Sequence, residues 1–330
     1  MLPYLNHWTS RLASRCRPNV AVRAVERRLR DVDQPVSSVE DYHLILYEFE
    51  ASPWCRLIRE YTTILDLKVH IRPCPRQTLF LEGAFDAASR FRPEAMRYLQ
   101  QYHQGTDDLT FPLLVDRTHV DDDSTENNKD PMVLVQSYDI LEHLWQRYGQ
   151  DVLPTAEGTP RPDQTQNATD IPFALRFLSL AGPSFIRSWP TFGVLQTPSL
   201  WDEGDSPKEL VLYQSEGSPE SRLVRETLCT LEIPYLSIPC AEGSRHIPLL
   251  PGDNDSSSIP ILVDGDNILQ GANACQEYLW SNYRDPSAPV PRWWNLPPAK
   301  NIGRAGSLGV GAYTAFLRGS RAFVPDRALQ

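Results

Sequence analysis

Apolar runs of strand length alternate with segments of helical period, and the alternation occurs twice along the chain. The stretch LILYEF, from Leu44 to Phe49, is a short apolar run that predicts a strand. It is followed by CRLIREYTTILDL, where Leu57, Ile58, Tyr61, Ile64 and Leu65 recur at helical spacing. KVHIRPC then alternates and predicts a second strand. FPLLVD reads as a buried strand entered through a proline, and MVLVQS as the next strand. SYDILEHLWQRYG opens on Ser and stops on Gly, the punctuation of a helix. The predicted order is strand, helix, strand, helix or loop, strand, strand, helix. That order makes a small α/β domain.

The same pattern returns. HLILYEFEASPWCRLIREYTTILDLKVHIRPCPR aligns without a gap to ELVLYQSEGSPESRLVRETLCTLEIPYLSIPCAE. Leu46 and Leu212, Ser52 and Ser218, Pro53 and Pro219, and Cys74 and Cys240 all stand 166 positions apart. Two further blocks keep the order. TFPLLVD (Thr110–Asp116) matches SIPILVD (Ser258–Asp264), and QSYDILEHLWQRY (Gln136–Tyr148) matches GANACQEYLWSNY (Gly271–Tyr283). Three ordered blocks are hard to obtain by chance, so the chain carries two copies of one unit. The first copy has extra residues in QTLFLEGAFDAASRFRPEAMRYLQQYHQ and in the acidic stretch DDDSTENNKD.

Composition narrows the reading. The 330 residues suffice for two ordinary domains, and a formal charge of −10 argues against a general nucleic-acid binder. No apolar run is long enough to span a membrane; IPFALRFLSLAGPSFI is short and interrupted by Arg176 and Pro183. The six cysteines (16, 55, 74, 229, 240, 275) form no dense framework and no secretory signal is visible, so a reducing compartment is expected. The opening to Arg30 holds seven arginines and a single acid, Glu26. It reads either as an organellar transit segment or as a basic surface helix, with the cytoplasm as the alternative location. The histidines are scattered without zinc spacing, and DDDSTENNKD lacks the Gly and terminal Glu of a calcium loop. No metal is expected.

Candidate chemistry gathers where the first strand runs into its helix, at Ser52-Pro53-Trp54-Cys55. Taken alone, Ser52 is an ordinary helix cap, and Cys55 an ordinary half-buried helix thiol. Pro112, Pro260 and Ser137 are each unremarkable too. Cys74 and Cys240 fall at matched places and suggest packing.

Taken together, the features resemble the N-terminal, glutathione-binding domain of the glutathione S-transferase family, which has the thioredoxin fold. The likeness rests on the Ser/Cys-Pro-x-Cys turn after strand one, the proline that opens strand three (Pro112, Pro260), and the Gln136-Ser137 pair that opens the last helix. It covers roughly 180 of the 330 residues. The doubled layout, with YEFEASPWCR, PCP and RLVRE, is similar to plant and algal chloroplast proteins carrying two such domains. The resemblance implies two thioredoxin-fold domains in tandem. It also implies that Ser52 orients the glutathione sulfur and that Cys55 is redox-sensitive. Phe111 and Pro112, joined by a cis bond, would pair with the peptide backbone, with Pro53 beside them. Gln136 and Ser137 would hold the γ-glutamyl end. The second-copy counterparts Ser218, Ser221, Ile259 and Pro260 are degenerate: the turn lacks a cysteine, Glu220 adds negative charge, and Gly271-Ala272 replaces Gln136-Ser137.

The expected layout is therefore a basic extension (1–40), a first domain (41–150), a Pro-rich linker with a short apolar helix (151–207), a degenerate second domain (208–285) and a Pro/Trp-rich tail (286–330). The linker and tail are too short and too proline-broken for the all-helical domain of a complete transferase. Two functions follow from the resemblance. One is a glutathione-binding protein with a thiol-redox or transferase-like role. The other is a non-enzymatic scaffold of two degenerate domains, docking a protein partner through the linker or through the tail around Trp293-Trp294.

Overall fold

Leu44–Glu48 forms the first strand, β1, and all five residues are buried, as expected of a strand covered on both faces. Ser52 then caps helix α1 (Pro53–Ile64), with Pro53 in the first turn, where a missing N–H costs nothing. The structure, a computed structural model, describes residues 7, 10–14, 24, 44–75, 89–103, 109–117, 130–149, 210–251 and 259–283. The linker 151–207, the tail 286–330, most of the basic extension and nearly all of the acidic stretch 121–130 lie outside these residues.

The remaining elements follow the predicted order. They are β2 (Val69–Pro73), α2 (Arg92–Tyr102), β3 (Leu113–Asp116), β4 (Met132–Val135) and α3 (Ser137–Tyr148). The second copy repeats them as β5 (Leu210–Gln214), α4 (Pro219–Thr230), β6 (Tyr235–Pro239), β7 (Ile261–Asp264), β8 (Asn267–Gln270) and α5 (Ala272–Asn282). Helix α2 forms inside the extra residues of the first copy. A single 3₁₀ turn, Ile247–Leu249, stands in its place in the second.

The eight strands make one sheet in the order β4-β3-β1-β2-β6-β5-β7-β8. Within each copy β1 and β2, or β5 and β6, run parallel, as a strand–helix–strand unit requires. The copies join where β2 meets β6, antiparallel, through Val69–Ser237, His70–Leu236 and Ile71–Tyr235. The repeat offset makes Leu236 the counterpart of His70. An approximate two-fold axis therefore runs through that pair, and each copy covers the other's open edge.

One face of the sheet carries α1, α3, α4 and α5 over a single core. Leu46, Ile58, Leu65, Leu114 and Ile140 from the first copy join Leu212, Leu223, Leu228, Leu262 and Leu279 from the second. The other face is divided. Tyr47, Leu113 and Val115 pack under Leu99 of α2. Leu236, Ile238, Leu250 and Ile261 form a smaller cluster beside the 3₁₀ turn. The thinner cover shows in β5, where buried and half-buried residues alternate, whereas β1 is buried throughout.

Helices α1 and α4 end alike. Asp66 and Glu232, counterparts in the repeat, both adopt the left-handed conformation, with φ of 55° and 52°. The following amides, Leu67 and Ile233, return to the carbonyls of Thr62 and Leu228 at 2.9 and 3.0 Å and close each helix end. Glycine is the usual occupant of such a position. The carboxylates are used here across the repeat junction. Asp66 accepts from Ser244 Oγ at 2.6 Å and from the Arg245 amide at 3.0 Å, and Glu232 accepts from the Arg90 amide at 3.2 Å. Among the described residues no helix is long and apolar enough to cross a membrane.

Candidate functional site

The registers Tyr47–Leu113 and Leu113–Val135 place the end of β1, the start of β3 and the end of β4 side by side. The Ser52 turn, the Phe111–Pro112 bond and the Gln136-Ser137 pair therefore share one end of the sheet. Phe111–Pro112 is cis, as is Ile259–Pro260 in the second copy. Gln136 has a φ of 75°, uncommon outside glycine, and directs the chain from β4 into α3. Its counterpart Gly271 has a φ of 80°. The Gly at that place in the second copy was the sequence signal for this conformation.

Ser52 acts as the cap of α1: its Oγ accepts from the Cys55 amide at 3.3 Å. The Ser52 residue is only 3% exposed, and Trp54 8%. The Trp54 ring packs against Tyr138 with centroids 6.4 Å apart. This contact joins the Ser52 turn to the start of α3, next to the buried Ser137, and the pattern of the sequence alone did not point to it.

Cys55 is fully buried. Burial and the nearby Glu48 carboxylate push its thiol up to about 12, so it is protonated at neutral pH. A nucleophilic or metal-binding cysteine needs the opposite. Cys74 and Cys240 are buried likewise, and burial raises both thiols, Cys240 to about 12.

Directly behind the turn lies a buried cluster of charge. Arg59, from the middle of α1, contacts Glu48, Glu50 at 3.3 Å and Glu216 of the second copy at 3.0 Å. Its counterpart Arg225 reaches Glu216 at 2.9 Å, Glu50 at 3.1 Å and Gln214 at 2.6 Å. Each arginine so binds the acid that follows the first strand of its own copy and the matching acid of the other. Burial pushes Glu48 up to about 7; Arg59 pulls it down and Glu50 adds to the rise. For Glu216, burial is outweighed by Arg225, Arg59 and Arg56, and the carboxyl falls to about 2. Arg222 is lowered to about 9 by burial and by Arg56, and its two terminal nitrogens have no hydrogen-bond partner among the described residues. The arginines were legible as helix residues, but the cluster was not legible as a buried junction.

In the second copy Ser218 Oγ accepts from the Ser221 amide at 3.2 Å, and Ser221 Oγ from the Ser215 amide at 3.3 Å. The Pro260 carbonyl accepts from the Gly271 amide at 2.8 Å. Ser218 and Pro219 are half-buried, whereas Ser52 and Pro53 are buried. The N-terminal segment reaches this copy: Ser10 Oγ donates to the Pro219 carbonyl at 2.5 Å, and His7 Nε2 pairs with Asn273 Oδ1 at 2.8 Å.

Outside the candidate site, the strand-three aspartates lock β3 and β7 to the last helix of each copy. Asp116 accepts from Tyr148 at 2.9 Å and pairs with His143 at 2.7 Å; Asp264 accepts from Tyr278 at 2.8 Å and from Tyr283. Among the described residues no group of three or more His, Cys, Asp or Glu is arranged to hold a metal ion.

Compared with known proteins, the chain matches the family model of the glutathione S-transferase N-terminal domain over residues 46–152 and 212–287, more than half its length. No curated protein and no solved structure matches it.

Proposed function

The chain belongs to the glutathione S-transferase N-terminal domain family, and we propose that its first copy binds glutathione without a covalent bond. The carrying observation is the convergence of three turns at one end of the sheet: Ser52, cis Phe111–Pro112 and Gln136-Ser137. The amides at the start of α3, with Ser137, suit the γ-glutamyl carboxylate, because a helix start offers free N–H groups and partial positive charge. The backbone beside Pro112 pairs with the peptide. Ser52, at the start of α1, faces the sulfur, and the helix field there favours a thiolate. The role is transferase-like orientation of a thiol. Cys55, held protonated, serves packing in this reading rather than redox exchange.

Access to Ser52, which is 3% exposed, requires the turn to open, and the Trp54–Tyr138 contact beside it is the one to part in this reading. Calorimetry with glutathione tests the reading. Wild type binds in the micromolar-to-millimolar range, and Ser137→Ala weakens binding about tenfold, the worth of one charge-assisted hydrogen bond.

The burial of Ser52 favours a second reading. In it, two degenerate thioredoxin-like domains form a non-enzymatic scaffold that contacts a protein partner. Absence of glutathione binding, together with capture of a protein partner by full-length chain that survives Ser137→Ala, supports that reading over the first.

A further inference from the structure

We infer that the N-terminal segment is a built-in occupant of the second copy, held by Ser10 and His7 over the starts of α4 and α5, where it competes with any external ligand while docked. The repeat alignment makes Glu220 the counterpart of Trp54, and Asn273 that of Tyr138. The ring pair that bridges the turn and the last helix in the first copy is therefore missing from the second. The N-terminal segment supplies the bridge instead. Ser10 binds the Pro219 carbonyl on the turn side, and His7 binds Asn273 on the helix side. Residues 10–14 are helical; Ser10 and Ala13 are fully buried while Arg11 and Leu12 are exposed, the pattern of a helix with one face docked. A second anchor follows at Ala24, which is buried and whose amide donates to the Glu242 carbonyl at 2.8 Å.

The turn and the last helix are thus bridged by different devices in the two copies, an aromatic pair in one and the chain's own segment in the other. This inference stands apart from glutathione binding in the first copy, and its test uses no glutathione. In the full-length chain, Ser10→Glu places a carboxylate against the Pro219 carbonyl and beside Glu220, which should expel the segment; Ser10→Ala is the mild control. Amide hydrogen exchange is followed by mass spectrometry. Peptides covering 216–224 and 271–276 should exchange about tenfold faster in Ser10→Glu, with peptides covering 52–58 unchanged. A synthetic peptide of residues 4–16 added in trans should restore the protection. Unchanged exchange at 216–224 would overturn the inference. So would an equal rise in both copies, which would make the segment part of the common core rather than a displaceable occupant.

Discussion

Arg59 Nε donates to Glu216 Oε2 at 3.0 Å across the junction of the two copies, and Arg225 returns the contact to Glu50 at 3.1 Å. The exchange is reciprocal because the residues are counterparts about the β2–β6 axis. All four are buried, so each is paired in a place where an unpaired charge would be costly. Removing one partner leaves its mate uncompensated: Arg59→Ala or Glu216→Ala should cost roughly 3–5 kcal/mol in urea unfolding. The double replacement Arg59→Ala with Glu216→Ala should cost less than the sum of the single losses, because each change removes the partner that the other would strand, while Glu48 loses Arg59 equally in the single and the double. Additive losses would show that the two groups do not interact.

The order of elements was legible because each relies on local signals. Ser52-Pro53 and Ser218-Pro219 mark helix starts, and LILYE and LVLYQ are strands by composition. The resemblance implied the cis Phe111–Pro112 bond, and the matching Ile259–Pro260 bond is cis as well. The joining of the copies was not legible. Alternation along β2 or β6 tells which face is buried, but not what lies beyond an open edge. Nor could periodicity identify Arg59 or Glu216 as buried, since charged residues in and before a helix usually read as solvated. The candidate site was legible as its three turns, but the Trp54–Tyr138 contact joining two of them was not, because it depends on how α1 meets α3.

Asp66 holds a left-handed φ of 55° while its carboxylate binds Ser244 and the Arg245 amide. Asp66→Gly should relieve about 1 kcal/mol of backbone cost yet lose two charge-assisted hydrogen bonds. The variant should be less stable than wild type by about 2 kcal/mol in chemical unfolding. A more stable Asp66→Gly would mean that the junction contacts contribute little.

Two buried acids should give opposite pH responses. Burial raises Glu232 to about 7, so the folded state holds its proton more tightly than the unfolded chain. Its contribution is fully present below the ordinary carboxylate range and is lost as pH rises through about 7. Glu232→Gln keeps an acceptor for Arg90 but does not ionise. Relative to wild type it should gain roughly 1–3 kcal/mol between pH 4.5 and 8. Glu216 is lowered to about 2, so its contribution is present above the ordinary range and lost as pH falls toward 2. Parallel pH profiles for Glu232→Gln and wild type would contradict the account.

The cysteines at 55, 74, 229, 240 and 275 are all buried. Iodoacetamide at pH 7.5 should leave them unlabelled in the native protein and label them in urea, as mapped by mass spectrometry. Rapid labelling of Cys55 in the native state would reopen a redox role for it.

The most direct test of the glutathione assignment is a titration of isotope-labelled protein followed by backbone and indole NMR. The account predicts saturable shifts at Ser52, Phe111, Gln136, Ser137 and the Trp54 indole, with Ser218 and Asn273 of the second copy unmoved. Absence of shifts at those first-copy positions at about 10 mM glutathione would contradict it and leave the scaffold reading.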